Sequence, residues 1–137
     1  MSKITPAGVS TIFAAVGTSP YDITIDLSGN LYVTNYGSNN VSKITPAGVS
    51  TIFAAVGTNP RDITIDSSGN LYTANYSSNN VSKITPAGVS TIIASTAAGP
   101  FGLTKDTIGN LYTANFSSNT VTKIAFSTKT YLTINAT

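Results

Sequence analysis

Residues 2–41 read SKITPAGVSTIFAAVGTSPYDITIDLSGNLYVTNYGSNNV, and the next stretch says the same again. Residues 42–81 differ only at Asn59, Arg61, Ser67, Thr73, Ala74 and Ser77. Residues 82–121 form a third copy with more drift in its middle, and a fourth opens at Thr122-Lys123-Ile124 before departing over 125–137. A repeat of this period is one supersecondary unit, which cannot bury its apolar surface alone. The architecture therefore follows from what one copy is and how many are needed.

Each copy holds four short β-rich runs. VSTIFAA (9–15) is β-branched and aromatic, and Gly17-Thr18-Ser19-Pro20 breaks it. DITID (22–26) alternates with period two and ends in Ser28-Gly29-Asn30, a tight turn tolerant of positive φ. LYVTNY (31–36) follows, then the turn 37–40, then VSKIT (41–45), closed by Pro46-Ala47-Gly48. No stretch carries a helical apolar period. Four antiparallel strands in such a length is the size of a propeller blade. The expectation is an all-β chain. Its three blades are expected at about 6–45, 46–85 and 86–125, after a partial strand at 2–5. Residues 1–125 would be the propeller and 126–137 a tail whose segment 129–136 alternates like an extra strand.

Composition narrows the function. The chain is 41% hydrophobic and 9% charged with a net charge of +2, and its lysines are spread one per copy rather than clustered. Nucleic-acid binding needs a basic patch, so it is not expected. No apolar run is long enough to span a bilayer. No signal peptide precedes the repeat, and an extracellular or cell-surface setting is preferred without being fixed. The sequence contains no His, Cys or Glu. That removes imidazole acid–base work, thiol nucleophiles and His-ligated metals, and no cofactor is implied.

The motif string P-x-D-I-T-I-D-x-S-G-N-L-Y-V-T-N, followed by S-N-N-V-S-K-I-T-P-A-G, resembles the NHL repeat over residues 2 to about 124. One departure stands out: the third strand of that family often ends in Asp, where this chain has Asn35, Asn75 and Asn115. The resemblance implies closed β-propellers, commonly of six blades, that bind partners more often than they catalyse. The repeat is also similar to the streptogramin B lyase propeller. That family's chemistry relies on a His base and an acidic metal site, which are not available here.

Three blades do not close a ring. Each blade is a sheet between two neighbours, so a lone arc leaves an apolar face bare at each end. Six blades take about 60° each, so two half-rings close by two-fold symmetry. The expected partner is a second copy, as a homodimer or a head-to-tail polymer. The expected function is a non-enzymatic structural or protein-binding scaffold. A glycan-binding propeller is the alternative. Candidate assembly residues are Lys105, which stands where the other copies have Ile25 and Ile65 and should face a blade interface, and Tyr131, Leu132 and Ile134 in the tail.

The candidate partner face is the drifting loop between the first two runs. Tyr21, Arg61 and Phe101 follow Pro20, Pro60 and Pro100, and Ser19 and Asn59 precede those prolines. Aromatics with Arg are what interface anchors look like, although exposed loops also drift neutrally. For the glycan reading, Asn35, Asn39 and Asn40 would join Tyr36, Tyr76 and Phe116. Asp26, Asp66 and Asp106 each open a D-x-x-G-N turn, and the turn-capping role is preferred to a calcium site with one carboxylate per loop. Asp22 and Asp62 are conceivable as a carboxylate pair, but they stand at equivalent positions on separate blades.

Overall fold

The computed structural model describes residues 1–126 and contains thirteen strands and no helix among them. A two-stranded sheet comes first, made of β1 (Ser2–Ile4) and β2 (Ser10–Ile12). Two complete antiparallel blades follow: β3 (Pro20–Ile25), β4 (Leu31–Asn35), β5 (Asn40–Ile44) and β6 (Ser50–Ala55), then β7 (Pro60–Ile65), β8 (Leu71–Asn75), β9 (Asn80–Ile84) and β10 (Ser90–Ser95). The last sheet has β11 (Pro100–Lys105), β12 (Leu111–Asn115) and β13 (Thr120–Ile124). Strands β3, β7 and β11 lie side by side as the inner strands of the arc.

The sheets are framed differently from the repeats expected at 6–45, 46–85 and 86–125. The run VSTIFAA closes the preceding sheet instead of opening the next, as β6 paired to β5. The T-P-A-G turn is the reason. Gly48 sits at φ 84° and its N–H donates to Thr45 O at 2.8 Å, while Thr45 N–H donates to Val49 O at 2.9 Å. That tight hairpin holds the two strands in one sheet. The chain crosses between blades later, through Gly57-Thr58-Asn59. Consequently β1–β2 is the outer half of a blade, and the third blade has its inner three strands.

The core lies between sheets. Tyr32, Val41 and Ala54 of one blade pack on Ile63, Leu71 and Ile84 of the next. Tyr72, Ala74 and Val81 pack on Leu103, Leu111 and Ile124. Ala14 of the half-blade packs in the same way on Val33 and Ile44, with Met1, Phe13 and Val16 beside it. Each joint uses the same repeat positions, so one sequence solution serves every interface.

Within each blade an asparagine is fully buried at the end of the third run. Asn75 Nδ2 donates to Asn80 Oδ1 and Ser82 Oγ, both at 2.8 Å, and its Oδ1 accepts from Thr73 Oγ1 at 3.0 Å. Asn115 repeats this with Thr113, Thr120 and Thr122. An amide both donates and accepts, which an ionised Asp in that position would not do. Gly57 must be glycine here, because a Cβ would lie 2.6 Å from Asn75 Nδ2. In the first complete blade Val33 replaces the threonine, and Asn35 Oδ1 is buried with no partner. Leaving a buried acceptor unsatisfied costs about 1–3 kcal/mol. Val33→Thr is therefore expected to raise the melting temperature, and Thr73→Val to lower stability by about 1–3 kcal/mol. Thermal unfolding of the two variants measures both; a destabilised Val33→Thr would show that the orphaned oxygen is not the dominant defect.

Candidate functional site

The inner strands begin with a break in pairing. The register shifts between Pro20 and Ile23, between Pro60 and Ile63, and between Pro100 and Gly102. A bulge re-aims side chains away from the sheet. Here it frees residues 21–22, 61–62 and Phe101, so the drifting loop and two carboxylates come together at one end of the arc.

Tyr21, Arg61 and Phe101 do meet. Tyr21 and Phe101 stand edge to face with centroids 5.7 Å apart. The Arg61 guanidinium lies 4.1 Å from the Tyr76 ring, 4.3 Å from Phe101, 5.1 Å from Tyr21 and 5.3 Å from Tyr36. Arg61 Nη1 donates to Tyr21 Oη at 3.2 Å. A cation among four aromatic faces is held by ring quadrupoles, and its charge is spread over apolar walls. Phe116 extends the patch from Phe101 at 6.1 Å and is 70% exposed. Sequence reading missed the share of Tyr36 and Tyr76 in this cluster; their recurrence after the third run was the available signal.

Ser19 and Asn59 vary for a different reason. Their φ values are 52° and 55°, and Gly99 at the same position has 70°. The three residue types share tolerance of a left-handed backbone, not a ligand. Asn59 is also occupied: its N–H donates to Asn39 Oδ1 at 2.8 Å, its Nδ2 donates to Tyr36 O, and its Oδ1 accepts from Ser77 Oγ.

The amides of the glycan reading are likewise committed to the fold. Asn35 Nδ2 donates to Asn40 Oδ1 at 2.7 Å, and Asn39 Oδ1 ties one blade to the next. The aromatic half of that reading is exposed at Phe116, while Asn35 is buried, Asn40 half-buried and Asn39 exposed.

Below the aromatic cluster lie Asp22 and Asp62, which the structure brings together although separate blades argued against it. Asp22 Oδ2 accepts from Ile63 N–H at 3.0 Å, and Asp62 Oδ2 accepts from Leu103 N–H at 2.6 Å. Each carboxylate thus pins the inner strand of the following blade. The pair also interacts: burial pushes Asp62 up to about 7, and a hydrogen bond and charge repulsion from Asp22 add to it. Gly102 stands at the third position, so this pin is missing from the last blade.

Asp26, Asp66 and Asp106 cap their hairpin turns. Asp26 Oδ1 accepts from the N–H groups of Ser28 and Asn30, both at 2.9 Å, and Oδ2 accepts from Asn30 Nδ2 and Tyr32 Oη. The same four donors recur around Asp66 and Asp106. Burial works to raise Asp26 and Asp66, but the hydrogen bonds outweigh it and hold both below the usual carboxylate range. For Asp106 the Asn110 amide is the leading cause of the same shift. Burial, reinforced by the neighbouring carboxylate, pushes Tyr32 and Tyr72 up to about 12.

Lys105 is not in a blade interface. It is exposed on the rim of a cleft of about 670 Å³ at the other end of the arc, with Ile25, Leu27, Tyr32, Ile65 and Pro86. Its counterpart Ile25 is exposed as well, at 57%, although a complete blade follows it. Tyr131, Leu132 and Ile134 lie outside the described residues.

With that geometry in place, the sequence matches the virginiamycin B lyase family over residues 1–132. The chain belongs to that family. No curated protein sequence gives a significant match. Among solved structures, a catalytically inactive histidine-to-alanine variant of virginiamycin B lyase from Staphylococcus aureus, with quinupristin, is 24% identical with a TM-score of 0.74, covering 93% of this chain and 48% of that one. The selenomethionine form of the Staphylococcus aureus enzyme is 22% identical with a TM-score of 0.69, covering 80% of this chain and 41% of that one. A gluconolactonase from Xanthomonas campestris is 19% identical with a TM-score of 0.68, covering 83% and 40%. At these identities the likeness is one of fold, and this chain spans less than half the length of each. The family and the four-stranded sheets make the architecture part of a β-propeller.

The carboxylates predict a pH optimum of stability. Asp62 is raised in the folded state, so its contribution is complete below the ordinary carboxylate value and is lost as pH rises through about 7. Asp26, Asp66 and Asp106 are lowered, so theirs is present above the ordinary value and lost as pH falls through the folded one. The melting temperature is expected to fall as pH rises from about 4 to about 7, the window that the Asp62 shift defines. Asp62→Asn should flatten that fall. An unchanged slope in Asp62→Asn would place the titration elsewhere.

Proposed function

We propose that this chain is a non-enzymatic propeller scaffold that assembles with a second copy and presents its aromatic end to a protein partner. One observation carries the assembly: side chains buried inside the joints are bare at the ends of the arc. Ile63 is 5% exposed and its counterpart Ile23 is 48% exposed; Val81 is 0% exposed and Val121 is 68% exposed. The faces that mate within the chain are chemically the faces left open, so a second copy is the surface that fits them. A dimer closing a ring is preferred to a filament, because a filament leaves two ends bare.

The absence of enzymatic activity is inferred from the side chains. The solved lyase variant is inactive after loss of one histidine. This sequence contains no histidine, cysteine or glutamate. Asp22 and Asp62 are the one close acid pair among the described residues, and both accept backbone N–H groups in blade joints. The NHL-like repeat supports partner binding, and Arg61, framed by exposed Tyr21 and half-buried Tyr36, Tyr76 and Phe101, supplies an anchor of the usual interface type.

Light scattering and sedimentation at micromolar concentration test the assembly. Twice the 14.1 kDa chain mass is the expected result. A monodisperse monomer that unfolds cooperatively would overturn it. Ile23→Glu should shift the population toward monomer, whereas Val89→Glu, on the solvent side of the hairpin before β10 and 59% exposed, should leave it unchanged.

A further inference from the structure

The half-blade β1–β2 has the form of a strand pair waiting for two inner strands. Its register is that of a complete blade: Ser2↔Ile12, Lys3↔Thr11 and Ile4↔Ser10 match Ser42↔Ile52, Lys43↔Thr51 and Ile44↔Ser50. It is already seated in front of the first complete blade, through Met1, Phe13, Ala14 and Val16 on Val33, Ile44 and Leu31. Among the described residues, what it lacks is a neighbour along the free edge of β1. Ile4 is 69% exposed, whereas Ile44 and Ile84 are 0% exposed. The same gap leaves Ile23 uncovered at its inner end.

The third blade has the complementary composition. Its inner strands β11 and β12 bury Leu103 and Leu111 against the second complete blade. Its β13 is less enclosed than β5 and β9, with Val121 exposed where Val41 and Val81 are fully buried. Thr120 and Thr122 stand there in place of Asn40 and Ser42, and Asn115 Nδ2 reaches Thr120 at 3.2 Å where Asn35 reaches Asn40 at 2.7 Å. Ring closure between two copies places the partner's third blade in the slot that β1–β2 already half fills. Both cannot keep a third strand there.

We infer that the closing blade is shared between copies. The β1–β2 hairpin of one copy pairs along β12 of the other, taking the seat of β13, and the exchange is reciprocal. Twelve of the thirteen strands then make three complete four-stranded blades per copy, six in the closed dimer. The register follows from the complete blades, where Leu31↔Ile44, Tyr32↔Lys43 and Val33↔Ser42. It sets Leu111 opposite Ile4, Tyr112 opposite Lys3 and Thr113 opposite Ser2 across the dimer. Main-chain hydrogen bonds supply the strand addition, and Ile4 enters the apolar seat now held by Ile124. This inference rests on the assembly reading above and specifies how the two copies join.

Cysteine pairs test it in a chain that has none of its own. Residues directly opposite in an antiparallel pair lie within the Cα separation a disulfide spans. On mild oxidation, mixing Lys3→Cys chains with Tyr112→Cys chains should give a covalent dimer, and the double variant a closed dimer with two crosslinks. Ser2→Cys with Thr113→Cys is the second pair, should the first fail to fold. Tyr112→Cys with Lys123→Cys, which face each other within one chain, should lock β13 in place and abolish dimerisation. A dimer in solution that forms only the 112–123 disulfide and neither cross-copy pair overturns the shared blade but leaves the assembly reading standing. A ladder of higher covalent multimers overturns the closed ring. A wild-type chain that is monomeric by light scattering removes the assembly reading and this inference with it.

Discussion

The stacking of one sheet face on the next governs this molecule. A single blade is four short strands with apolar residues on both faces, and neither face is stable in water. The joints Tyr32–Val41–Ala54 on Ile63–Leu71–Ile84, and their copies one repeat on, bury these faces in pairs. Because each joint needs the same chemistry, the sequence can repeat almost unchanged. The same requirement makes the ends of the arc the energetic weak points, since the repeat supplies a face and not a cap. Natural repeat arrays end in atypical polar units or close on themselves. Here the residues at the ends, Ile23 and Val121, are of the joint type.

Polar groups set the geometry that the apolar faces alone would leave free. Asp22 and Asp62 reach across joints to backbone N–H groups, and Asn39 and Asn79 do so at the neighbouring turns. These bonds fix how far one blade is rotated against the next. A carboxylate in this role is costly when two of them meet. The raised proton affinity of Asp62 reflects its burial first and that conflict second. The third copy resolves it with Gly102, which has no like-charged neighbour to repel and no strand to pin.

Much of the fold was legible because its signals are local. Ser28-Gly29-Asn30 with Asp26 announces a turn, the β-branched runs announce strands, and the repeat announces blades. The sheet frame was not legible in the same way. It depends on whether Thr45-Pro46-Ala47-Gly48 or Gly57-Thr58-Asn59 is the crossing between sheets, and both look like turns. Only the paired hydrogen bonds of Thr45 with Gly48 and Val49 separate them. The site was less legible still. Ser19 and Asn59 resembled ligand-reading variation, but their φ values show a backbone constraint. Lys105 resembled a buried charge because apolar Ile25 and Ile65 set the expectation, but Ile25 is itself exposed at this end of the arc. Asp22 and Asp62 were separated by one whole repeat, and nothing in a linear reading tells how tightly consecutive blades bring their inner strands together.

The drift among copies takes on a physical meaning in this light. Substitutions collect where a position does different work in different copies. Position 21 and its counterparts converge on a shared point, so three side chains must fit one space, and Tyr, Arg and Phe fill it as three identical residues would not. Three tyrosines would lack the cation, and three arginines would repel one another. Position 33 behaves in the opposite way: each copy faces the same asparagine, and the copy with valine leaves Asn35 Oδ1 unpaired. Divergence is therefore tolerated, even required, where the blades meet at the axis, and is penalised where each blade satisfies its own interior. That contrast separates the axial end of the arc, where the copies share one space, from the blade interiors, where each copy stands alone.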